Sequence, residues 1–92
     1  MRVIYKYALA VEHGTQIVKL PAYPRILSVG FQDDALVLWA EVDPRAPVFD
    51  YRIATCFTGN ALPADVYADQ RFLGTVQRAD GLVVHVFHLL HG

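Results

Sequence analysis

The chain has 92 residues, of which 54% are hydrophobic and 18% are charged. This length excludes a two-domain enzyme and a complete doubly wound nucleotide-binding fold, and the apolar fraction excludes disorder, so a single domain over residues 1–92 is expected. The formal net charge is −1, and because no two of the eight basic residues are adjacent, binding to duplex nucleic acid is not expected.

Alternation of apolar and polar side chains, which is typical of half-buried strands, recurs along the chain from the N-terminus onward. Short turn-forming segments separate the alternating stretches, and Asp80-Gly81 is a typical tight hairpin turn. The pattern predicts seven strands. Three hairpins are expected, which join the first strand to the second, the third to the fourth and the sixth to the seventh, and the fifth strand stands alone. The predicted strands cover residues 2–9, 15–20, 25–31, 35–42, 50–57, 71–77 and 81–90.

The fourth strand stands out because residues 35–40 are apolar on both of its faces. Such a run is typical of a strand that is covered on both sides, either inside a sandwich or at an oligomer interface. We therefore expect a homodimer or larger assembly whose interface buries at least one sheet face. We also expect Trp39 to be largely buried with a partner for its indole N–H, so that Trp39→Ala would cost about 3–5 kcal/mol of stability.

A helix is predicted at one place only, residues 61–69, where Pro63 suits the first turn. A short helix and an irregular loop both remain open for this segment. The other elements are strands, and no internal repeat is present. The sequence thus predicts an all-β domain, a small antiparallel sandwich or barrel of about seven strands, with one optional short helix.

Cysteine use and apolar runs bear on location. Cys56 is the single cysteine, so an internal disulfide is excluded and a reducing compartment is favoured. The longest strongly apolar stretches have about seven residues, well short of the roughly 20 that a membrane-spanning helix needs. The N-terminal residues lack the apolar core of a signal peptide. We expect a soluble, cytoplasmic protein without a membrane partner.

The residue types that usually carry catalysis are present but do not form a site. On a strand, His85 and His88 point to opposite faces, and His91 lies about 20 Å from His85, so no metal site is expected. Cys56 lies within a strand, where burial would keep its thiol inert. Asp33-Asp34 is a pair of carboxylates, but it falls in a predicted turn, where such residues usually bond the backbone and face solvent. We therefore predict that the chain is not an enzyme and has no catalytic residue, cofactor or metal.

The remaining hypothesis is that the chain functions through a binding surface. Aromatic residues make up 12% of the chain, and tyrosine, tryptophan and arginine are the residues that most often anchor interfaces. One interpretation is that these rings only cap sheet edges. The other places a recognition patch near the loop 43–47, where Arg45 offers a planar donor group to a protein surface or an anionic ligand. The predicted partner-binding residues are Trp39, Arg45, Tyr51 and Arg52.

Several segments together resemble a family of small uncharacterised proteins of bacteriophages and prophages. The most specific is Leu-Trp-Ala-Glu-Val-Asp-Pro at 38–44, and the others are Ile-Tyr-Lys-Tyr at 4–7, Ile-Leu-Ser-Val at 26–29, Thr-Gly-Asn at 58–60 and the strand at 81–87. The family's usual turn has a glycine before the threonine, where this chain has Phe57. The resemblance implies a phage accessory protein in the cytoplasm of a bacterial host.

Phage accessory proteins of this size often act as stoichiometric inhibitors. The function expected first is therefore binding to a host protein, with inhibition of a defence or nuclease complex through protein–protein contact. One alternative is an oligomer that sequesters a nucleotide-like signal between its subunits. A second alternative is a component of the virion or of its assembly.

Overall fold

The computed structural model describes residues 1–67 and 69–90. It contains seven β-strands and one short 3₁₀ helix, which confirms the all-β prediction. In the described part of the chain, no helix has the length and apolarity that a membrane crossing requires. In chain order the elements are β1 (Val3–Ala8), β2 (Gly14–Pro21), β3 (Arg25–Gln32), β4 (Ala35–Val42), β5 (Val48–Phe57), the 3₁₀ helix (Ala64–Tyr67), β6 (Gln70–Gln77) and β7 (Val83–Leu89).

The strands form two antiparallel sheets, one of three strands in the order β1-β4-β3 and one of four strands in the order β2-β5-β7-β6. Two of the predicted hairpins, β3–β4 and β6–β7, are present. The predicted β1–β2 hairpin is wrong, because β1 pairs with β4 and β2 pairs with β5. The segment between β1 and β2 crosses from one sheet to the other, so the two strands become edges of different sheets.

The core lies between the two sheets, which pack as a sandwich. Alternation along each strand directs every second side chain inward. Leu38 at the middle of β4 and Ile53 at the middle of β5 are fully buried there. The buried members of the core are Leu9, Val18, Leu20, Ile26, Leu36, Leu38, Ala40, Val42, Ile53, Val84 and Val86.

A smaller apolar cluster lies on the outer face of the four-stranded sheet. The 3₁₀ helix packs over this face and buries Val66 against Ala54, Cys56 and Leu89. The structure thus resolves the segment 61–69 into a loop followed by one short helix, while Ala68 lies outside the described residues. This cover leaves the outer face of the three-stranded sheet as the less protected side of the sandwich.

The two sheets approach each other most closely where β3 meets β6. Each of these strands has an irregularity in its register, between Ile26 and Ser28 in β3 and between Phe72 and Gly74 in β6. A Cβ atom on Gly74 would lie 3.1 Å from Val29 Cγ2, so any other residue here would crowd Val29 unless that side chain shifted.

Candidate binding surfaces

Trp39 lies on the outer face of the three-stranded sheet, on its central strand. In the register of the sheet it stands between Lys6 of β1 and Ser28 of β3. Its ring rests on β3, where a Cβ atom on Gly30 would lie 3.2 Å from Trp39 Cζ3. Glycine at this position therefore provides the space that the indole occupies.

Trp39 is half-buried, so most of its surface is removed from solvent as expected, but it does not belong to the core between the sheets. β4 is apolar on both faces, but only the face that carries Leu38 and Ala40 meets the second sheet. Among the described residues, Trp39 belongs to neither of the two apolar clusters, so its face is not part of a packed layer. No hydrogen bond from the indole is found there either. The part of the ring that does not rest on β3 is therefore available for contact.

The outer-face neighbour Val37 is nevertheless buried, because a polar bridge crosses over it. Lys6 Nζ of β1 donates a hydrogen bond to Gln32 Oε1 of β3 at 2.5 Å. Lys6 is level with Trp39 and Gln32 is level with Ala35, so the bridge passes over the position of Val37. The lysine stem thus covers apolar surface while its ammonium group stays polar.

Charged residues border the same face at one end of the sheet. Arg2 Nε lies 2.6 Å from Glu41 Oε2, and Arg2 Nη2 also donates to the Glu41 carbonyl at 2.9 Å. Arg25 Nη1 lies 3.8 Å from the other carboxylate oxygen of Glu41. The face therefore combines a central aromatic residue with a charged border, which is the usual composition of a protein interface.

Arg45 lies in the loop between β4 and β5 and is exposed. Asp43 organises this loop, because its carboxylate accepts the Arg45 backbone N–H at 3.0 Å and its carbonyl accepts the Ala46 N–H at 3.0 Å. The hydrogen bond from the Arg45 backbone lowers the pKa of the Asp43 carboxyl. The Arg45 guanidinium is 3.7 Å from the same carboxylate.

Arg52 is on the other side of the molecule, on the outer face of the four-stranded sheet. Its guanidinium forms a short, half-buried ion pair with Asp65 of the 3₁₀ helix. Thr15 Oγ1 of β2 donates to the same carboxylate at 3.0 Å. Arg52 therefore holds the 3₁₀ helix against the sheet.

Tyr51 precedes Arg52 in β5 and so points to the opposite face, toward the interior of the sandwich. Its ring meets His88 edge-on, with the ring centroids 5.9 Å apart. The expected single patch around the loop 43–47 is thus wrong, because Trp39, Tyr51 and Arg52 lie on three different faces. That these residues bind a partner stays a prediction.

Asp65→Ala should make Cys56 more reactive. Burial, and secondarily the Asp65 carboxylate, raise the pKa of the Cys56 thiol, which the 3₁₀ helix covers. Loss of the half-buried Arg52–Asp65 pair should weaken that cover by about 1 kcal/mol, equivalent to about fivefold faster labelling by a thiol reagent. Asp50→Ala, which removes only the exposed pair with Lys19, is the control. Equal rates for the two variants would show that Asp65 does not hold the helix.

His88 should make the fold sensitive to acid. Burial, and secondarily the positive charge of Arg71, lower the pKa of His88 below its ordinary value of 6.5. The unfolded chain therefore takes up the proton first, so stability is full above about pH 6.5 and falls as the pH decreases below it. Urea unfolding at about pH 8 and about pH 5 should show a smaller loss for His88→Gln than for the wild type. An identical loss of stability in His88→Gln and in the wild type would exclude His88 as a source of the acid sensitivity.

The strand geometry predicted for the C-terminal histidines is confirmed for the two that are described. His88 faces inward beside Tyr51, whereas His85 faces outward, with Nε2 2.7 Å from Thr58 Oγ1 and Nδ1 2.9 Å from Thr75 Oγ1. His91 lies outside the described residues. Within the described ranges there is no group of three potential metal ligands and no pocket.

Sequence reasoning missed the residues that shape the Trp39 face, namely Ser28, Gly30 and Gln32 of β3. The sequence shows that these three residues alternate with Val29 and Phe31, and in the structure those two apolar residues pack against the core. What the sequence did not reveal was the register, which brings them beside Trp39 and within reach of Lys6.

Comparison with known proteins gives one match. No curated protein and no solved structure matches the chain. A domain of unknown function, DUF7352, matches residues 1–91, which is nearly the whole chain. The protein whose two sheets and half-buried Trp39 are described above therefore belongs to the DUF7352 family.

Proposed function

We propose that the chain acts by binding another protein, without catalysis, through the outer face of the three-stranded sheet. The observation that supports this most directly is Trp39, a half-buried tryptophan on a central strand that belongs to neither apolar cluster of the described residues. Tryptophan is enriched among the residues that dominate binding energy at interfaces. The polar bridge of Lys6 and Gln32 and the ion pairs of Glu41 surround it.

The partner that we propose is a host protein of a bacterium, bound in the cytoplasm. The support for this step is the resemblance to small phage and prophage proteins, whose size suits inhibition by one-to-one binding. A defence or nuclease complex is the proposed target. Binding to the Trp39 face would inhibit such a complex by occupying one of its own contact surfaces.

Ser28→Glu tests the face. Ser28 is exposed beside Trp39, so a carboxylate there should disturb docking without affecting the core. Gln77→Glu is the matched control, because Gln77 is exposed on the other sheet. Each form is immobilised and exposed to lysate of a bacterium with a nuclease-based defence. We expect a host protein to bind the wild type and Gln77→Glu but not Ser28→Glu, at unchanged melting temperatures.

The same three forms, expressed in that bacterium before phage infection, test the proposed inhibition. Plaque numbers should rise with the wild type and with Gln77→Glu, and should not rise with Ser28→Glu. Equal binding and equal plaque numbers for both variants would contradict the assignment to this face. A host protein that binds without any change in plaque numbers would contradict the inhibitory role alone.

A further inference from the structure

Each sheet of the sandwich ends in two edge strands, and three of these four edges are protected. Edge strands with free N–H and C=O groups invite pairing with another chain, and proteins block them with prolines, bulges or covering segments. β3 and β6 have register irregularities and pack against each other. β2 ends at Pro21, which has no backbone N–H to offer to a further strand.

β1 has none of these protections among the described residues. Its sequence, Val-Ile-Tyr-Lys-Tyr-Ala, contains no proline, and its register with β4 is regular throughout. Leu9 N donates to Leu36 O at 2.9 Å, in line with that register. Because bonding alternates along an antiparallel pair, Tyr5 and Tyr7 then direct their backbone groups at β4. The N–H and C=O groups of Ile4, Lys6 and Ala8 point away from the sheet.

The one charged residue of β1 is drawn away from this free edge. A lysine on an edge strand ordinarily opposes pairing with another chain. Here the Lys6 ammonium crosses β4 and is held by Gln32 on the far strand. The exposed side chains that remain beside the edge are apolar or aromatic, with Ile4 61% and Tyr5 47% exposed.

We propose that β1 pairs antiparallel with β1 of a second copy of this chain, so that the two three-stranded sheets join into one continuous sheet. A two-fold axis at Tyr5 places Tyr5 of one copy opposite Tyr5 of the other. Ile4 of each copy then faces Lys6 of the other, and their outward N–H and C=O groups bond in both directions. The same patch serves both copies, as a closed dimer requires.

The charges of β1 select this register over its two neighbours. With the axis at Lys6, two lysines would lie directly opposite each other, and with the axis at Ile4, Lys6 would face Arg2. Like charges directly opposite are destabilising in a sheet. With the axis at Tyr5, each cation faces an apolar side chain instead, since Lys6 meets Ile4 and Arg2 meets Ala8.

The inner side of the edge also leaves room for the second copy. Tyr5 points toward the four-stranded sheet, in register with Ala40 of the core, and would be buried if that sheet extended over it. Its exposure shows that the second sheet leaves this position uncovered, although Val3 and Tyr7 on either side of it pack against the core. Two tyrosine rings can therefore meet across the axis, where a cross-strand aromatic pair is favourable.

The test pairs two opposite charges at the axis. In Tyr5→Lys or Tyr5→Glu alone, like charges would meet, so we expect each variant to remain a monomer of about the mass of one chain, 10.3 kDa, whereas the wild type dimerises with rising concentration. An equimolar mixture of the two variants should recover the dimer. The same charges at Tyr23, which is 88% exposed outside β1, provide the control and should leave dimerisation unchanged. Analytical ultracentrifugation measures each case, and circular dichroism checks that every variant is folded.

Three results would overturn the proposal. A wild-type monomer at every concentration up to the millimolar range would exclude the dimer itself. A wild-type dimer that persists in Tyr5→Lys would place the interface elsewhere. A mixture that stays monomeric, while each folded variant has lost the wild-type dimer, would exclude the axis at Tyr5. Partner capture by the Trp39 face is measured separately, so failure here leaves the proposed function standing.

Discussion

Replacing Leu38 by alanine is expected to lower the free energy of unfolding by about 2–5 kcal/mol. Leu38 is 0% exposed and lies in the middle of β4, where its side chain fills the space between the two sheets. Its removal loses buried apolar area and leaves a cavity that the surrounding strands cannot fully close. Since small domains are stable by about 5–15 kcal/mol, this is a large part of the total.

Leu27→Ala is the control for this prediction. Leu27 belongs to the same sheet but lies at the irregularity of β3 and is 41% exposed. The same atoms are removed, so the difference between the variants measures burial. Urea unfolding should give a clearly smaller loss for Leu27→Ala. Equal losses would mean that the space between the sheets is not the main source of stability.

Trp39→Ala is expected to separate binding from stability. Because the indole is not fully buried, the loss of stability should be smaller than the cost of removing a fully buried ring, which is about 3–5 kcal/mol. The loss of affinity for the captured host protein should exceed about 2 kcal/mol, or about 30-fold, as expected for a central interface tryptophan. Calorimetric titration of the captured protein and urea unfolding measure the two effects.

Tyr67→Ala is the control for the Trp39 variant, since Tyr67 is an exposed aromatic residue on the 3₁₀ helix, which packs over the other sheet. It should leave affinity unchanged. Loss of affinity in both variants would place the partner on both sides of the sandwich. A Trp39→Ala protein that binds normally would exclude the Trp39 face.

Alternation in the sequence was sufficient to find the strands. Successive side chains of a strand point to opposite faces of the sheet. Apolar and polar residues therefore alternate in the sequence of any strand that has one buried face. The opposite orientations of His85 and His88 followed from the same rule. This property depends on neighbours within one strand, whereas the predicted burial of Cys56 is confirmed through the cover of the 3₁₀ helix.

The candidate site was less predictable, because it depends on which faces are covered. The apolar run at 35–40 has the composition of a strand with two covered faces, yet only one of them meets another layer. Arg52 and Arg45 are close in sequence, but Asp65 on a distant segment determines where the Arg52 guanidinium goes. Nothing within a single strand encodes such contacts.

The sequence by itself determined that this protein is an all-β domain of seven strands with hairpins at β3–β4 and β6–β7, because short turns and alternation are local properties. Only the tertiary structure decided the partners of β1 and β2. A local hairpin would have joined them, but β4 and β5 are the strands whose buried residues need a neighbour on each side. β1 and β2 supply those neighbours in two different sheets. That choice depends on burial summed over the whole sandwich, and it leaves β1 as a free edge and Trp39 only half-buried.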